Sequence, residues 1–160
     1  MTKPTLSTYG GALNEVGYAG ELATMNPIST RTLVNSGTVL IQFGNAVARG
    51  ATDDTCKAPT ADGDKIIGLA IRHPTKVADS AGNIAYAQYD ALAILADGDI
   101  YAVPTENVVR DDTVISITAS NGALSGSTAG AAGAGRVTVP GATWETTTLA
   151  GAVGKIRIAN

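Results

Sequence analysis

Residues 64–103 contain the stretch that decides the fold: Lys65-Ile-Ile-Gly-Leu-Ala-Ile-Arg72, then Ala91-Leu-Ala-Ile-Leu-Ala96, then Asp99-Ile-Tyr-Ala-Val103. Side chains of a β-strand alternate between its two faces, so the first run places Ile67, Leu69 and Ile71 on one face. The other face carries Gly68, Ala70 and Arg72. This alternation predicts strands of a sheet that has one strongly buried face.

The same tight-turn sequence frames these runs. Ala61-Asp-Gly-Asp64 precedes the first run, and Ala96-Asp-Gly-Asp99 separates the second from the third. Asp-Gly suits a tight turn because Gly accepts a positive φ and Asp bonds to its own backbone. Successive strands joined by such turns predict an all-β, antiparallel domain. A chain rich in Gly, Thr, Val and Ile with frequent turn signals further predicts a small barrel or sandwich.

The N-terminal segment has a different character. Tyr9-Gly-Gly-Ala-Leu-Asn-Glu-Val-Gly-Tyr-Ala-Gly20 spaces four glycines among single apolar residues. Neither a helical nor a strand period runs through it, and Gly at this density disfavours both. We therefore predict an extended arm over residues 1–30, followed by one β domain over residues 31–160. The pattern leaves open whether the arm packs on its own domain or grips a neighbouring subunit.

A low-complexity segment interrupts the second half of the domain at residues 120–135. Five of its residues are Gly and five are Ala, so it offers little surface to offset its ordering entropy. We predict a flexible loop or the tip of a long hairpin there. The chain closes with Lys155-Ile-Arg-Ile158, where the alternation predicts a strand with one wet face.

The residues that usually carry chemistry are scarce. The 160-residue chain has a net charge of −3, one cysteine and one histidine. Cys56 has no partner for an internal disulfide, and Cys56 and His73 are too few to form a zinc site. Neither Asp-Gly-Asp turn has the ligand spacing of a calcium loop. We therefore expect a protein that is not an enzyme and that binds no metal or cofactor.

Two classes of partner are also not expected. No segment approaches the roughly 20 apolar residues that span a bilayer, so no membrane segment is predicted. No basic stripe with interleaved aromatic residues is present, so nucleic acid is not an expected partner.

The single tryptophan, Trp144, lies in Ala142-Thr-Trp-Glu-Thr146. A tryptophan in this setting can stack on a sugar ring, anchor an interface or fill the core, and the core is its commonest position.

Several short motifs, taken in order, resemble the head cement, or decoration, proteins of tailed bacteriophages. The matching motifs, spread over most of residues 17–158, are Tyr18-Ala-Gly20 through Ile28-Ser29, Phe43-Gly44 with Ala46-Val47 and Arg49-Gly50, Ile67-Gly-Leu-Ala70, the stretch from Tyr89 to Gly98, and Pro140-Gly-Ala-Thr-Trp-Glu-Thr146 with Gly154-Lys155-Ile-Arg-Ile158. Each motif is a small-residue β pattern that is weak alone. Their order and spacing carry the resemblance, and the loop at residues 120–135 has no counterpart.

The resemblance implies a small β-barrel or jelly-roll domain that binds the outside of the capsid in the virion. Such a protein would bridge major capsid proteins, stabilise the expanded head and associate as homodimers or homotrimers. The contact residues expected on the arm and the domain are Tyr9, Tyr18, Leu22, Met25, Ile28 and Trp144. The alternative is a non-enzymatic binding module of another class, such as a carbohydrate-binding or fibre-tip domain.

Overall fold

The computed structural model describes residues 17–23, 28–77 and 84–159. These residues are nearly all β, which confirms the predicted fold class. In chain order the strands are β1 (Ser29–Asn35), β2 (Ile41–Gln42), β3 (Ala46–Arg49), β4 (Thr55–Lys57), β5 (Ile66–Ala70), β6 (Ala85–Tyr86), β7 (Ala91–Ala102), β8 (Thr113–Ile117), β9 (Ala123–Gly126), β10 (Arg136–Trp144) and β11 (Gly154–Ile158). A 3-10 turn at Thr118–Ser120 separates β8 from β9.

Five strands close into a barrel, as the composition predicted. Their order is β1-β4-β3-β5-β7, and the ring closes because β1 pairs with both β4 and β7. The β1–β4 contact is parallel, whereas the other four pairings are antiparallel. A short β2–β6 pair forms a separate two-stranded sheet.

Strand β7 joins the barrel to a second group of strands. Its first half pairs with β1 and β5, and its second half pairs with β11. From β11 the sheet continues through β10 and β8 to β9. The predicted turn at Asp97-Gly98 is therefore wrong, because β7 runs straight through it. Glycine is needed at position 98 because the Ile28 side chain lies close to the β7 backbone there. A Cβ on Gly98 would lie 2.8 Å from a methyl carbon of Ile28.

Strand β5 does not keep the predicted alternation. The register of β3 against β5 shifts beside Gly68, whose φ is +152°, and a Cβ on Gly68 would lie 2.1 Å from the Leu95 carbonyl oxygen. Beyond this bulge the faces exchange, so Ile67 and Leu69 contact different clusters. Both faces of β5 are buried because one lines the barrel and the other meets the second sheet.

Two apolar clusters form the core, one inside the barrel and one between the barrel and the second sheet. The barrel interior contains Ile41, Phe43, Val47, Cys56, Ala58, Ala70, Tyr86, Leu92 and Ile94. The larger cluster lies between the outer face of the barrel and the second sheet, and it includes Leu69, Leu95, Ile100, Trp144 and Ile156. On β11, Ile156 and Ile158 are buried while Arg157 is exposed and Lys155 half-buried, as the alternation predicted.

Part of the low-complexity segment is a strand, where composition predicted a loop or a hairpin tip, and residues 127–135 form the connection from β9 to β10. Residues Ala123–Gly126 form β9, which pairs with β8, and Leu124 and Ser125 are fully buried. Leu124 lies between small residues, which lets β9 lie close against β8. The composition of the segment does not show that β8 is its pairing partner. The domain also begins slightly earlier than predicted, with β1 starting at Ser29.

Candidate interaction surface

The described part of the arm, residues 17–23, lies along the second half of β7. Gly20 N donates to the Tyr101 carbonyl at 2.8 Å, Tyr101 N donates to the Glu21 carbonyl at 2.9 Å, and Ala23 N donates to the Asp99 carbonyl at 2.9 Å. Leu22 forms an isolated bridge with Ile100 and packs against the larger cluster. In this structure residues 17–23 therefore dock on their own domain, on the edge of β7 that β11 leaves open.

Glycines allow this approach. A Cβ on Gly17 would lie 2.5 Å from the Tyr101 ring, and one on Gly20 would lie 2.8 Å from the Arg72 backbone nitrogen. Gly20 also has a φ of +81°, which other residues rarely adopt. The Gly44 backbone lies close to Gly20, since a Cβ on Gly44 would lie 2.9 Å from Gly20 N. The glycines that exclude regular structure in the arm are thus the ones that let it lie flat.

A cation–π stack holds the side chain of Tyr18. The Arg72 guanidinium lies 4.6 Å from the centre of the Tyr18 ring and 5.8 Å from that of Phe43. Tyr18 still leaves 65% of its surface exposed. Its ring borders a shallow groove of about 500 Å³, the Tyr18 groove, whose lining includes Leu22, Ile71, Arg72 and Pro74. The stack presents an aromatic ring to solvent at a defined position.

The platform beneath the arm is rigid and charge-balanced. The carboxylate of Asp99 is buried and lies 3.2 Å from Lys155 Nζ and 3.3 Å from Arg157 Nη1. Lys155 also pairs with Glu145 at 2.8 Å. That hydrogen bond, aided by Asp99, raises the pKa of Lys155 above its ordinary value despite partial burial. Asp99 of β7, Glu145 just after β10, and Lys155 and Arg157 of β11 therefore neutralise one another.

The predicted contact residues fall in different places. Tyr9 and Met25 lie outside the described residues. Tyr18 and Ile28 are exposed, Ile28 at 42%, whereas Leu22 is half-buried in the domain's own core.

Trp144 is a core residue. Its side chain is fully buried, and its indole N–H donates to the Ser125 carbonyl at 3.0 Å. No part of its ring is left for a partner or a sugar, so its prediction as a contact residue is corrected. Strand alternation in β10 decides this position, because Ala142 and Trp144 lie on the face that packs in the larger cluster, toward the barrel.

Sequence reasoning did not identify Tyr89, which is 77% exposed. Its φ is +68°, an uncommon conformation for a bulky residue that costs roughly 1–3 kcal/mol. The turn at residues 87–90, the Tyr89 turn, is held from both sides. Tyr89 N donates to the Asn35 carbonyl at 2.7 Å, and Ala87 N donates to Asp90 Oδ2 at 2.7 Å.

The Asn35 side chain reinforces the Tyr89 turn. It is fully buried, and its amide nitrogen donates to the carbonyls of Val39 and Ala87 at 3.2 Å each. A strained tyrosine on such a support keeps its ring in solvent. Nothing in Gln88-Tyr89-Asp90 signals a positive φ, so only the folded chain reveals it.

The groups that could carry chemistry are dispersed in the described residues. Within residues 17–23, 28–77 and 84–159, no group of three or more His, Cys, Asp or Glu side chains is placed to hold a metal ion. Cys56 is buried in the barrel, and burial raises the pKa of its thiol to about 11. His73 is exposed, with the Thr75 hydroxyl 2.9 Å from Nδ1. No helix in the described part of the chain is long and apolar enough to cross a membrane.

A packed β-barrel, residues 17–23 docked through glycines and two exposed tyrosines presented by the fold define a structural binding protein. Residues 6–159 match the family model of the structural cement protein (E217 gp24/Pam3 gp6), so the chain belongs to the phage structural cement proteins. This confirms the resemblance found in the sequence and makes the protein a structural component of the virion.

Structure comparison agrees on the fold. A chain from the capsid of Myoviridae phage XM1 superposes with a TM-score of 0.70 and 18% sequence identity, covering 89% of this chain and 90% of that chain. Comparison with curated protein sequences finds no match.

Proposed function

We propose that this protein binds the outer surface of the phage head, bridges major capsid proteins and stabilises the expanded shell. Copies would associate as dimers or trimers near local symmetry axes. The observation that carries this proposal is the cement-family match over residues 6–159. The surface supports it, because Tyr18 is exposed with its ring stacked on Arg72, and Tyr89 is exposed on a hydrogen-bonded turn.

Tyr18 and Tyr89 are the proposed main contacts, with Ile28 and the arm residues Tyr9 and Met25 beside them. Aromatic side chains contribute large contact area at low entropic loss and are enriched among residues that dominate binding energy. A ring already fixed in the free protein loses less freedom on binding. The Arg72 stack provides this advantage for Tyr18, whereas the turn at Tyr89 holds the backbone from which that ring projects.

The test uses heads assembled without the cement protein, to which purified protein is added. We expect saturable binding at a fixed ratio to the shell protein and a higher melting temperature of the heads by calorimetry. Tyr18→Ala and Tyr89→Ala should each weaken binding by about 2 kcal/mol. Leu149→Ala is the matched control, because Leu149 is similarly exposed, at 69%, but lies in the loop before β11.

Failure of the wild-type protein to bind heads would contradict the proposal. Binding to a glycan array with no binding to heads would instead favour a carbohydrate-binding module.

A further inference from the structure

The backbone N–H and C=O groups of successive β1 residues point alternately toward β7 and toward β4. Asn35 N donates to the Asp90 carbonyl on the β7 side, whereas Val34 N donates to the Asp54 carbonyl and Ser36 N to the Cys56 carbonyl on the β4 side. Strand geometry continues this alternation toward the N-terminal end of β1. The N–H and C=O groups of Thr30 and Thr32 therefore point away from β7, toward the side of β4.

Strand β4 does not extend far enough to meet them. Its register with β1 covers only Val34↔Thr55 and Asn35↔Cys56. Ser29 to Thr32 are exposed, and no hydrogen bond from the described chain reaches the outer edge at Thr30 or Thr32. One end of the barrel seam is thus an open strand edge with two donors and two acceptors.

Strand β9, at the other end of the nine-stranded sheet, has no such open edge at Leu124. There the outer edge of β9 is covered, since Thr105 N donates to the Leu124 carbonyl at 2.8 Å and Pro104 bridges to Leu124. Open edges are templates for another strand, and proteins usually blunt them with Pro, Lys or a covering segment. The β1 sequence Ser29-Thr-Arg-Thr-Leu-Val34 contains no Pro or Lys, has Arg31 as its one charged residue and is rich in β-branched residues, and no described segment covers its outer edge.

We infer that the open edge of β1 at Thr30 and Thr32 pairs with an extended segment of the shell protein, which adds a strand to the barrel. This inference rests on the proposed function and names the surface that carries it. Main-chain hydrogen bonds would provide affinity, as in other cases of strand addition. The segment carries a carboxylate beside Arg31, because Arg31 is exposed and has no ion-pair partner in the described residues.

A second copy of this chain fits the edge less well. The antiparallel two-fold register that uses both threonines of each copy pairs Thr30 with Thr32 and sets the two Arg31 residues directly opposite each other. Like charges directly opposite in a sheet are unfavourable.

The test is Thr32→Pro, which removes one outward N–H. Proline is tolerated on a strand edge whose N–H faces solvent. We expect a folded variant that binds cement-free heads at least about tenfold more weakly. Thr32→Ala keeps the N–H and separates the effect of the side chain from that of the backbone, so it should weaken binding much less than Thr32→Pro does. Normal head binding by folded Thr32→Pro would overturn the inference.

Hydrogen exchange on the wild-type protein decides the matter if Thr32→Pro does not fold. The amides of Thr30 and Thr32 should exchange rapidly in the free protein and at least about tenfold more slowly on heads. Head binding without this protection overturns the inference and leaves the proposed function intact. Protection that appears in the free protein together with a concentration-dependent dimer assigns the edge to a second copy and also overturns it. Failure to bind heads at all overturns both proposals.

Discussion

Among single residues, Gly20 shows how backbone geometry places the arm. Its φ of +81° and its contact with the Arg72 backbone leave no room for a side chain. Because the obstructing atoms are backbone and cannot swing away, a methyl group there must displace the arm. Gly63 offers the opposite case, since no atom lies within 4 Å of a Cβ built on it.

We expect Gly20→Ala to lower the free energy of unfolding by about 1–3 kcal/mol, because the strained backbone and the clash both oppose docking of residues 17–23. The Tyr101 amide, which donates to the Glu21 carbonyl, should then exchange faster. Gly63→Ala is the control and should change neither quantity. Unchanged exchange at Tyr101 in Gly20→Ala would show that the docked geometry is wrong.

Tyr89 carries a conflict between stability and binding. Tyr89→Ala removes the ring but keeps a side chain at positive φ, whereas Tyr89→Gly removes the ring and the strain together. We expect Tyr89→Gly to be about 1 kcal/mol more stable than Tyr89→Ala by urea unfolding, although both bind heads more weakly than the wild type. Equal stability of the two variants would argue against strain at this turn.

Among the elements, the segment after β9 shows how carboxylates order a sequence of low complexity. Asp112 accepts hydrogen bonds from Ser127 and from the backbone and hydroxyl of Thr128. Arg136 Nη2 donates to both carboxylate oxygens of Glu106, at 2.6 and 2.7 Å, and Arg136 Nη1 donates to the Gly130 carbonyl. Asp62 accepts from Gly135 N at 2.9 Å. Residues 127–135 are therefore fastened at three points.

We expect Asp112→Asn to destabilise the protein by roughly 1–3 kcal/mol, because Asp112 is 7% exposed and its carboxylate also accepts from Val109 N. The adjacent Asp111→Asn is the control. Asp111 is exposed and has a φ of +71°, which asparagine tolerates. The free energy of unfolding of Asp111→Asn should therefore stay within about 0.5 kcal/mol of the wild-type value. Equal effects of the two changes in urea unfolding would exclude the fastening role.

The arm is separable only in part. Deletion of residues 1–16 keeps every contact that residues 17–23 make with the domain. Deletion of residues 1–25 also removes Leu22 and leaves the β7 backbone at Asp99 and Tyr101 without its partners.

We expect the longer deletion to cost about 2–4 kcal/mol in calorimetry or urea unfolding, from one buried leucine and the lost hydrogen bonds. Equal stability of the two truncations would mean that residues 17–23 add nothing to the fold.

For the whole molecule, the acid side of the stability profile follows from paired carboxylates. Hydrogen bonds from Lys76 and Arg136 hold the pKa values of Asp90 and Glu106 below their ordinary range. Burial alone would raise the pKa values of Asp64 and Asp112, but their hydrogen bonds outweigh it and lower them. A lowered folded-state pKa stabilises the protein above the unfolded-state value and loses that contribution as pH falls through the folded-state value.

Buried neutral groups shape the alkaline side. Burial raises the pKa of Cys56 to about 11 and, aided by Asp90, that of Tyr86 to about 12. These groups ionise first in the unfolded chain, so stability falls above their ordinary values. The raised pKa of Lys155 acts similarly, since its pairing is lost as pH rises through that value.

We therefore expect urea unfolding to give a nearly constant stability between about pH 5 and pH 8, with losses below about pH 4 and above about pH 9. Cys56→Ser should reduce the loss of unfolding free energy above about pH 9. A profile as stable at pH 3 as at pH 7 would contradict the assignment of the paired carboxylates.

Short-range sequence signals were enough to identify the all-β class and the alternation of β11. They also carried the resemblance to cement proteins, because period-two patterns and turn residues act over a few neighbours. They failed where a distant partner decides the outcome. The Asp97-Gly98 turn became the middle of β7 because β11 continues the sheet beyond it, and residues 123–126 became β9 because β8 lies beside them.

The interaction surface depended still more on the tertiary structure. Burial of Trp144, the strain at Tyr89 and the stack of Arg72 on Tyr18 all arise between residues far apart in the chain. The open edge of β1 exists because β4 ends after two residue pairs, and no local pattern in either strand shows it. Side-chain alternation is encoded residue by residue, whereas pairing and exposure depend on which strands meet.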